Sequence, residues 1–283
     1  MGVRSVLITG TSTGIGRACA LRLDNAGWRV FAGVRRAADG EEMADRASDR
    51  LTPVTLDVAD QGSIEEAASR LDGLLGSGGL HGLVNNAGVT VQGPLEFLAL
   101  DELRRQFEVN VIGQLAVTQA MLPQVRAATG RIVMMSSIGG RARSLPFLGP
   151  YNASKYALEA LGDSLRYELM KWRIRVSIVE PGSIATPIWE KGDRSFQPLL
   201  EALPPEGRER YGAMMERARK IAAAAGRRGI APEKVALAVE HALTSDRPRV
   251  RYLVGTDARL RAALDPFIPN PLMDRFVARL LRL

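Results

Sequence analysis

The sequence contains one cysteine and two histidines, and this scarcity argues against several kinds of site. Cys19 cannot form an intramolecular disulfide, and no base stands near it in sequence, so we expect a buried packing residue. His81 and His241 are far apart and no cluster of cysteine and histidine accompanies them, so we expect no metal site. Chemistry in this chain must therefore come from other residue types.

Long apolar runs are also missing: no stretch of about 18 apolar residues occurs, so no membrane span is expected. The chain passes from Met1 to the apolar stretch at 6–8 without a signal-peptide core, and we expect a cytoplasmic protein. The net charge of +7 invites a nucleic-acid partner, but the basic residues are scattered and mostly interleaved with acids, as in 206–220. We therefore expect a solvated surface and no nucleic-acid binding.

Short apolar stretches rich in β-branched residues alternate with longer helical patterns along the chain. Strands are predicted at 5–9, 29–33, 52–56, 82–85, 131–135, 175–179 and 250–254. Their hydrophobicity is continuous rather than alternating, which indicates strands buried on both faces. The predicted fold is α/β: one Rossmann-type, doubly wound domain over 1–283, with a mainly parallel seven-stranded sheet and helices on both faces.

Two segments depart from this alternation. Between about 187 and 231 no strand is predicted, only helical pieces near 199–203 and 211–225. Because open α/β sheets bind ligands at the carboxyl ends of their strands, we predict that this insertion is a substrate lid; a plain connecting pair of helices is the alternative. The segment at about 271–283 is amphipathic and basic, and it either packs on the body or a second subunit or contacts a membrane surface peripherally.

A glycine-rich turn links the first predicted strand to the following helix. Glycines allow a sharp turn and the close approach of a phosphate, and a helix N-terminus attracts negative charge. We therefore predict a pyrophosphate cradle, although the spacing G-x-x-x-G-x-G differs from the common dinucleotide fingerprint and a simple tight turn is the alternative. The predicted cradle comprises Gly10, Ser12, Thr13, Gly14, Ile15 and Gly16.

Arg35 and Arg36 follow the second predicted strand, where NAD sites commonly carry an acid for the ribose 2′-hydroxyl. No acid occurs there before Asp39, and two guanidinium groups would instead attract and hydrogen-bond a 2′-phosphate. We predict NADP(H) as the favoured cofactor, with NAD(H) as the alternative if the two arginines are only solvated.

Tyr151 and Lys155 lie one helical turn apart, downstream of Ser136 and Ser137. A tyrosine titrates near pH 10, so acid/base work near neutrality requires about 4 kcal/mol of anion stabilisation, part of which an ammonium at i+4 can supply. An isolated pair with this spacing is usually an ordinary surface pair. The upstream glycine cradle instead favours a catalytic pair beside a bound nucleotide.

The order of the motifs resembles the short-chain dehydrogenase/reductase family, and more loosely its steroid- and retinol-active branch. The resemblance covers residues 5–255 and is carried by the glycine cradle, the sequence Asn-Asn-Ala-Gly at 85–88, Asn110, the serine pair and the Tyr151/Lys155 pair. Each piece is commonplace alone, but their joint order and spacing are specific. The family's fold agrees with the doubly wound sheet predicted from the strand pattern.

The resemblance implies a catalytic set of Asn110, Ser137, Tyr151 and Lys155. Tyr151 would be the general acid/base, Lys155 would hold the nicotinamide ribose, and Asn110, whose alternative is an exposed or capping amide, would support a proton-relay water. Ser137 would orient the substrate oxygen. Ser136 stays a rival, because fourteen positions separate Ser137 from Tyr151, one more than in many family members.

The same resemblance implies further cofactor contacts. Asp57, with Val58 beside it, would lie near the adenine, and the Asn-Ala-Gly element after strand four would line the adenosine side. After strand six, the backbone of Ile184 and the hydroxyl of Thr186 would fix the nicotinamide carboxamide, with a simple β-turn as the alternative. The implied contacts are Asp57, Val58, Asn86, Ala87, Gly88, Pro181, Gly182, Ile184 and Thr186, together with Tyr151 and Lys155.

The resemblance and the apolar residues of the predicted lid imply an NADP(H)-dependent oxidoreductase that interconverts a hydroxyl and a carbonyl by hydride transfer. The expected substrate is a hydrophobic secondary alcohol or ketone of steroid, retinoid or lipid type, and a homodimer or homotetramer is expected. The alternatives are an NAD(H)-dependent dehydrogenase of another small alcohol, a nucleotide-binding regulator without turnover, and a basic protein that binds nucleic acid or membrane.

Overall fold

A parallel sheet of seven strands forms the centre of the computed structural model, which describes residues 3–282, with only the backbone of residue 191. The strands are β1 (Ser5–Ile8), β2 (Arg29–Val34), β3 (Leu51–Thr55), β4 (Gly82–Asn85), β5 (Arg131–Met135), β6 (Arg175–Pro181) and β7 (Arg251–Val254). Their order is β3-β2-β1-β4-β5-β6-β7, and each neighbouring pair is parallel. The predicted doubly wound sheet is therefore confirmed.

Side chains of the central strands alternate between two hydrophobic cores, one on each face of the sheet. In β1, Val6 and Ile8 join the first core, whereas Leu7 joins the second. In β5, Val133 belongs to the first core and Ile132 to the second. All five side chains are fully buried, which explains the continuous apolar runs in the sequence.

Helices cover both cores. The α-helices of the described chain are α1 (Gly14–Asn25), α2 (Ala37–Ala44), α3 (Gln61–Leu75), α4 (Leu100–Phe107), α5 (Gly113–Ala127), α6 (Gly149–Glu168), α7 (Ile188–Ala202), α8 (Pro205–Arg227), α9 (Glu233–Thr244), α10 (Thr256–Leu264) and α11 (Asn270–Leu281). Cys19 of α1 and Val239 of α9 are buried in the first core, and Val117 of α5 and Leu158 of α6 in the second. Burial raises the pKa of Cys19 to about 12, so this thiol is an inert packing residue, as predicted.

The insertion at 187–231 consists mainly of α7 and α8. The first helix is longer than predicted, because it begins at Ile188, whereas the sequence indicated helix only near 199–203. Gly192 and Pro198 weaken the helical signal before that point, yet both lie within α7. An isolated parallel bridge between Ile184 and Ile230 joins the two ends of the insertion.

The C-terminal segment predicted at 271–283 forms helix α11 as far as Leu281. Met1, Gly2 and Leu283, the ends of the predicted domain and segment, lie outside the described residues. Among residues 3–282, no helix combines the length and the apolarity needed to cross a membrane.

The strand order reverses between the neighbours β1 and β4, since β2 and β3 lie on one side and β5 to β7 on the other. In open α/β sheets, ligands bind outside the carboxyl ends of the strands at this reversal. The glycine turn follows β1, the Asn-Asn-Ala-Gly element spans the end of β4, and the serine pair follows β5. The topology therefore collects the predicted site residues at one edge of the sheet, called the carboxyl edge below.

Candidate active site

Tyr151 and Lys155 stand on the first turns of α6. The helix begins at Gly149, and Pro150 in its first turn has a fixed φ that suits a helix start. The spacing of four places both side chains on one face, and Lys155 Nζ lies 5.8 Å from the centroid of the Tyr151 ring. The structure thus brings the predicted pair together.

Lys155 is held against the end of β5. It is only 5% exposed, and Nζ donates a hydrogen bond to the carbonyl oxygen of Met135 at 2.8 Å. Burial lowers the pKa of Lys155 to about 8, and the carboxylate of Glu159 opposes this shift. The ammonium is therefore fixed in position and loses its proton more readily than a surface lysine does.

The phenol of Tyr151 lies near the hydroxyl of Ser137. Burial raises the pKa of the phenol, and the neighbouring Ser137 hydroxyl opposes that rise without cancelling it. The direction is opposite to the one expected from the sequence, where Lys155 was to lower the pKa of Tyr151. Desolvation of the phenolate outweighs the support of its neighbours, so the protonated phenol is the favoured form.

The two serines after β5 have different neighbours. Ser137 lies near Tyr151, and its Oγ accepts the N–H of Gly139 at 3.0 Å. Ser136 is buried and lies beside Glu159; its hydroxyl lowers the pKa of that carboxyl, although burial raises it overall. Consecutive residues of an extended chain point to opposite sides. The geometry therefore favours Ser137 over its rival as the partner of Tyr151.

Asn110 lies in a π-helical turn, Glu108–Ile112, that separates α4 from α5. Such turns are frequent at functional sites. The Asn110 side chain is buried, and it accepts the N–H of Val89 at 2.8 Å and donates to the Val89 carbonyl at 3.0 Å. The amide is therefore neither exposed nor a helix cap, and it fixes the loop after β4.

Ser154 connects Asn110 to the helix of the catalytic pair. Asn110 Nδ2 donates to Ser154 Oγ at 3.1 Å, and Ser154 Oγ donates to the carbonyl oxygen of Tyr151 at 2.7 Å. Sequence reasoning missed this serine, although it stands inside the motif, because its contacts form only when α4, α5 and α6 meet. Ser154 is fully buried and belongs to the support of the site.

The glycine turn after β1 has the open backbone that a phosphate needs. Gly10 and Gly14 have φ angles of 69° and 59°, and a methyl group on Gly10 would lie 2.8 Å from the Cα atom of Ala87. A methyl group on Gly16 would overlap with the Gly10 carbonyl. Helix α1 begins at Gly14 after Thr13, whose side chain makes no capping hydrogen bond, so the first N–H groups of α1 suit an anion.

The segment after β4 braces this turn. Asn86 Nδ2 donates to the carbonyl oxygens of Thr9 at 2.8 Å and Gly10 at 3.1 Å. Thr9 Oγ1 accepts the N–H groups of Asn86 and Ala87, both at 2.9 Å. Gly88 lies against Asn110, whose Oδ1 would be 3.3 Å from an added methyl group. Asn86 therefore supports the cradle, with Thr9 as an unpredicted partner that looks like an ordinary strand residue in the sequence.

A cavity of about 620 Å³ lies beside the glycine turn, and both predicted arginines line it. Arg36 makes two hydrogen bonds to Asp39, at 2.6 and 3.0 Å. Arg17, which sequence reasoning missed, also lines the cavity and pairs with Glu42 at 3.1 Å. The other lining residues are Ser12, Thr13, Arg35 and Asp57. The cavity therefore offers three arginines to a phosphate and three carboxylates to hydroxyl or amino groups.

Three of the predicted contacts can offer a ligand only their backbone. Ile15 packs against the first core, Val58 is buried in the second, and Ile184 is buried in the first. The carbonyl oxygen of Ile184 is already engaged, since it accepts the indole N–H of Trp189 at 2.6 Å. Asp57 lines the cavity, and its Oδ1 accepts a hydrogen bond from the backbone N–H of residue 59 at 3.0 Å.

The turn after β6 reaches back to the glycine turn. Pro181 ends the strand, and a methyl group on Gly14 would lie 3.2 Å from Thr186 Cγ2. Asp257 of α10, which was not predicted, packs against Gly182, and its Oδ2 accepts the N–H of the next residue at 2.7 Å. The turn is therefore a fixed element that connects the two predicted ends of the cofactor site, rather than a free β-turn.

Helix α8 of the insertion is tied to two loops near the catalytic pair. Tyr211 donates its hydroxyl to Glu96 Oε2 at 2.6 Å. Its ring makes edge contacts with Phe97 and Phe147, with centroids 5.9 and 6.4 Å apart. Phe147 lies in the loop that leads into α6, four residues before Tyr151. Aromatic side chains thus join the insertion to the loop that carries the site.

A family model described as short chain dehydrogenase matches residues 4–195 of this sequence. The chain belongs to the short-chain dehydrogenase family. It is 38% identical to retinol dehydrogenase 5 of Homo sapiens over 275 residues, which cover 95% of this chain and 86% of that protein. It is also 38% identical to 17-beta-hydroxysteroid dehydrogenase type 6 of Bos taurus over 280 residues, which cover 97% and 87% of the two chains.

A solved short chain dehydrogenase from Burkholderia cenocepacia, in complex with NADP, has the same fold. Its TM-score is 0.72 at 26% identity, and the match covers 99% of this chain and 98% of that chain. As a member of the family, the chain whose sequence is given above is an oxidoreductase that uses a nicotinamide nucleotide, NAD(P). The likeness to the steroid- and retinol-active branch is confirmed by the two relatives.

The carboxyl edge fits such a cofactor. The glycine turn has the backbone space and the helix N-terminus that a pyrophosphate requires. The cavity with Arg36 has the charged groups for the adenosine end. Tyr151 and Lys155 lie at the end of β5, where the reactive end of the cofactor would meet a substrate.

Proposed function

We propose that the protein interconverts a secondary alcohol and a ketone on a hydrophobic molecule of steroid, retinoid or similar lipid type, with NADP(H) as its cofactor. The observation that carries this proposal is that the Ser137 hydroxyl lies near the Tyr151 phenol, beside the buried Lys155. A serine hydroxyl and a phenol that meet at one point can bind a single substrate oxygen between them. They meet at the edge of the sheet where this fold binds ligands.

The phenol oxygen of Tyr151 exchanges the proton of the substrate oxygen, and the hydroxyl of Ser137 holds that oxygen by a hydrogen bond. In the reducing direction the phenol donates its proton to the developing alkoxide. In the oxidising direction the phenolate accepts the hydroxyl proton. A nicotinamide nucleotide held at the carboxyl edge would supply or accept the hydride. The raised pKa of Tyr151 suits a proton donor, and the nearby ammonium of Lys155 stabilises the phenolate that remains.

Asn110 contributes to this mechanism by holding the backbone around it in place. Its side-chain amide donates hydrogen bonds to the Val89 carbonyl and to Ser154. A relay water would therefore bind a backbone carbonyl of the π-helical turn, because a shift from i→i+4 to i→i+5 bonding leaves a carbonyl without its usual partner. Ser154 keeps this turn in register with the Tyr151 helix.

Three arginines of the cavity support NADP(H). Arg36 and Arg17 are paired with Asp39 and Glu42, and a 2′-phosphate would take the place of these carboxylates. The NADP complex of the Burkholderia cenocepacia relative agrees with this preference. NAD(H) is the second candidate, because the same carboxylates could accept hydrogen bonds from a ribose 2′-hydroxyl.

Apolar side chains over the carboxyl edge support a hydrophobic substrate. Ile188 of α7 is exposed, and Leu199 of the same helix approaches Gly93 of the loop after β4. The aromatic contacts of Tyr211 add a further apolar group near the entrance. The names of the relatives refer to retinol and to a hydroxysteroid, which are both hydrophobic alcohols.

Replacement of Tyr151 by phenylalanine tests the reaction. We expect Tyr151→Phe to lower the turnover of steroid and retinoid ketones or aldehydes by about 10²-fold or more, because the proton donor is lost. The matched control is Tyr167→Phe, since Tyr167 stands exposed at the far end of the same helix. Equal turnover by the two variants would contradict the acid/base role, and turnover of short polar carbonyl compounds alone would contradict the substrate class.

We further propose that the protein is a homodimer or homotetramer in the cytoplasm and does not bind nucleic acid. Family membership and the scattered basic charge support these inferences. Size-exclusion chromatography with light scattering tests the oligomeric state, and cell fractionation tests the location. Retention on a nucleic-acid column with a steep dependence on salt would contradict the last inference.

A further inference from the structure

The C-terminal helices carry a group of exposed apolar side chains. Phe267 is 83% exposed, and four other leucine and phenylalanine side chains of these helices are each about half exposed or more. The group consists of Leu260, Leu264, Phe267, Leu272 and Phe276. Single exposed apolar residues are ordinary, but Leu260 and Leu264 share one face of α10 and Leu272 and Phe276 one face of α11, since each pair is spaced by four, and exposed apolar faces are typical of contact surfaces. These five residues are called the C-terminal apolar surface.

The opposite sides of the same helices are already packed on the body. Ala258 and Ala262 of α10 contact Ile138 and Ala142 of the loop after β5. In α11, Leu281 is buried and its carbonyl accepts a hydrogen bond from Arg217 of α8 at 2.5 Å. The C-terminal apolar surface is therefore the outer side of docked helices, and it contributes little to the core of the domain.

The corner that displays Phe267 is fixed by Arg143. Its guanidinium donates to the carbonyl oxygens of Asp265 and Ile268, both at 2.8 Å. The Asp265 carboxylate accepts the backbone N–H of Arg143 at 2.9 Å. Phe267 lies between the two positions that Arg143 holds, so the backbone that exposes its side chain is fixed by hydrogen bonds.

The C-terminal segment that carries this surface also exposes several arginines. Among the described residues 256–282, the exposed arginines are Arg259, Arg275, Arg279 and Arg282. Asp274 is the exposed acid of this range, whereas Asp257 and Asp265 are partly buried and accept backbone N–H groups. A two-fold contact between copies would bring arginines together with few acids to balance them. An anionic lipid surface complements both the apolar groups and the charge.

We propose that the C-terminal apolar surface docks on a membrane surface that carries anionic lipids. Phe267 and its neighbours insert at the boundary between headgroups and acyl chains, and the arginines contact the headgroup phosphates. Arg143 links this surface to the loop that leads into the Tyr151 helix. That loop then lies near the lipid, from which a hydrophobic substrate can enter; this last step rests on the proposed function, whereas the docking does not.

Flotation with vesicles tests the docking on the full chain. We expect the protein to float with vesicles of phosphatidylcholine and phosphatidylserine at about 0.1 M salt, and not with phosphatidylcholine alone. The double variant Leu260→Ser/Phe267→Ser should bind at least about tenfold more weakly, because it removes two inserting side chains. The matched control is Leu100→Ser/Tyr167→Ser, which alters one leucine and one aromatic residue of similar exposure elsewhere, and it should float like the wild type.

A second pair of variants tests the charge. Arg275→Gln/Arg279→Gln should reduce flotation, whereas Arg247→Gln/Arg249→Gln, with the same loss of charge elsewhere, should not. Failure of the wild type to float would overturn the docking, as would a double serine variant that floats normally. A change of oligomeric state in that variant, without vesicle binding by the wild type, would instead identify a subunit contact. Carbonyl turnover measured without vesicles reports separately on the proposed function.

Discussion

The two ends of the carboxyl edge are held together by different kinds of interaction. At the adenosine end, Arg36 and Arg17 form ion pairs with Asp39 and Glu42 at the wall of an open cavity. At the catalytic end, Lys155 is buried and hydrogen-bonded to a backbone carbonyl of the sheet. The charged side chains at the adenosine end can exchange partners, whereas the ammonium at the catalytic end is held in one position.

This difference follows from what each interaction is worth. Exposed ion pairs contribute about 0–1 kcal/mol, so a ligand can replace them easily. A buried polar group that loses its partner costs about 1–3 kcal/mol, so the catalytic end tolerates little rearrangement. A nucleotide bound at the adenosine end would therefore meet side chains that can exchange partners, whereas a substrate at the catalytic end would meet side chains held in place. Substitutions at the catalytic end should therefore change turnover and stability, and substitutions at the adenosine end should change nucleotide affinity.

The largest effect is expected at Lys155. Lys155→Met removes the ammonium beside Tyr151 with little change in volume, and we expect kcat/KM to fall by about 10²- to 10⁴-fold. Lys171→Met, at an exposed lysine just beyond α6, is the control and should keep wild-type turnover. Steady-state kinetics with a ketone substrate gives the comparison. A loss of less than about tenfold would show that the ammonium is dispensable.

A large loss of stability is expected at Asn110. Asn110→Ala leaves the buried N–H of Val89 without its partner and removes the hydrogen bonds that Asn110 donates to the Val89 carbonyl and to Ser154. We expect the free energy of unfolding to fall by about 3 kcal/mol, measured by urea denaturation. Asn270→Ala, at an exposed asparagine, should change it by less than about 0.5 kcal/mol. Similar values for the two variants would mean that the catalytic end is not rigid.

The buried ammonium should also make stability depend on pH. The folded pKa of Lys155 is about 8, below its ordinary value of 10.5. Between these values the unfolded chain binds a proton that the folded chain lacks, so the contribution of Lys155 to the free energy of unfolding rises with pH. Relative to Lys155→Met, the wild type should gain roughly 1 kcal/mol per pH unit from pH 8 to 10. A flat difference between the two unfolding curves would place Lys155 in a solvated environment.

The smallest effect is expected at the adenosine end. Arg36→Ala should weaken NADPH binding by roughly tenfold and leave NADH binding nearly unchanged, because one charged contact with the 2′-phosphate is lost. Arg247→Ala, at an exposed arginine outside the cavity lining, is the control. Isothermal titration with both nucleotides measures the effect. Equal weakening for NADPH and NADH would show that Arg36 does not select the phosphate, and tighter binding of NADH by the wild type would favour the second candidate cofactor.

Most of the fold could be predicted because its strands are buried on both faces. Burial of β1 and β5 leaves continuous apolar runs that need no knowledge of tertiary contacts. The start of α7 was missed, because Gly192 and Pro198 weaken a local signal that packing against α8 overrides. The π-helical turn at Asn110 has no signal in a single sequence, since it depends on a shift of backbone hydrogen bonding.

The candidate site was predictable where residue type and spacing suffice. The Tyr151/Lys155 pair follows from helical geometry, and Arg36 from its position after β2. Arg17 was missed because it belongs to α1 and meets Glu42 of α2 at the cavity only in the folded chain. The direction of the Tyr151 pKa shift was wrong, because it depends on desolvation in the folded chain and not on the sequence spacing of its neighbours.

The contact between Thr186 and Gly14 has a thermodynamic consequence. Thr186 stands two residues before α7, and its methyl group lies against the glycine turn of the cofactor cradle. A displacement of α7 would therefore also shift the surroundings of the glycine turn that we propose as the phosphate site. Any molecule that binds under the insertion and shifts it changes the affinity for the nucleotide, and reciprocity requires the nucleotide to change the affinity for that molecule by the same factor.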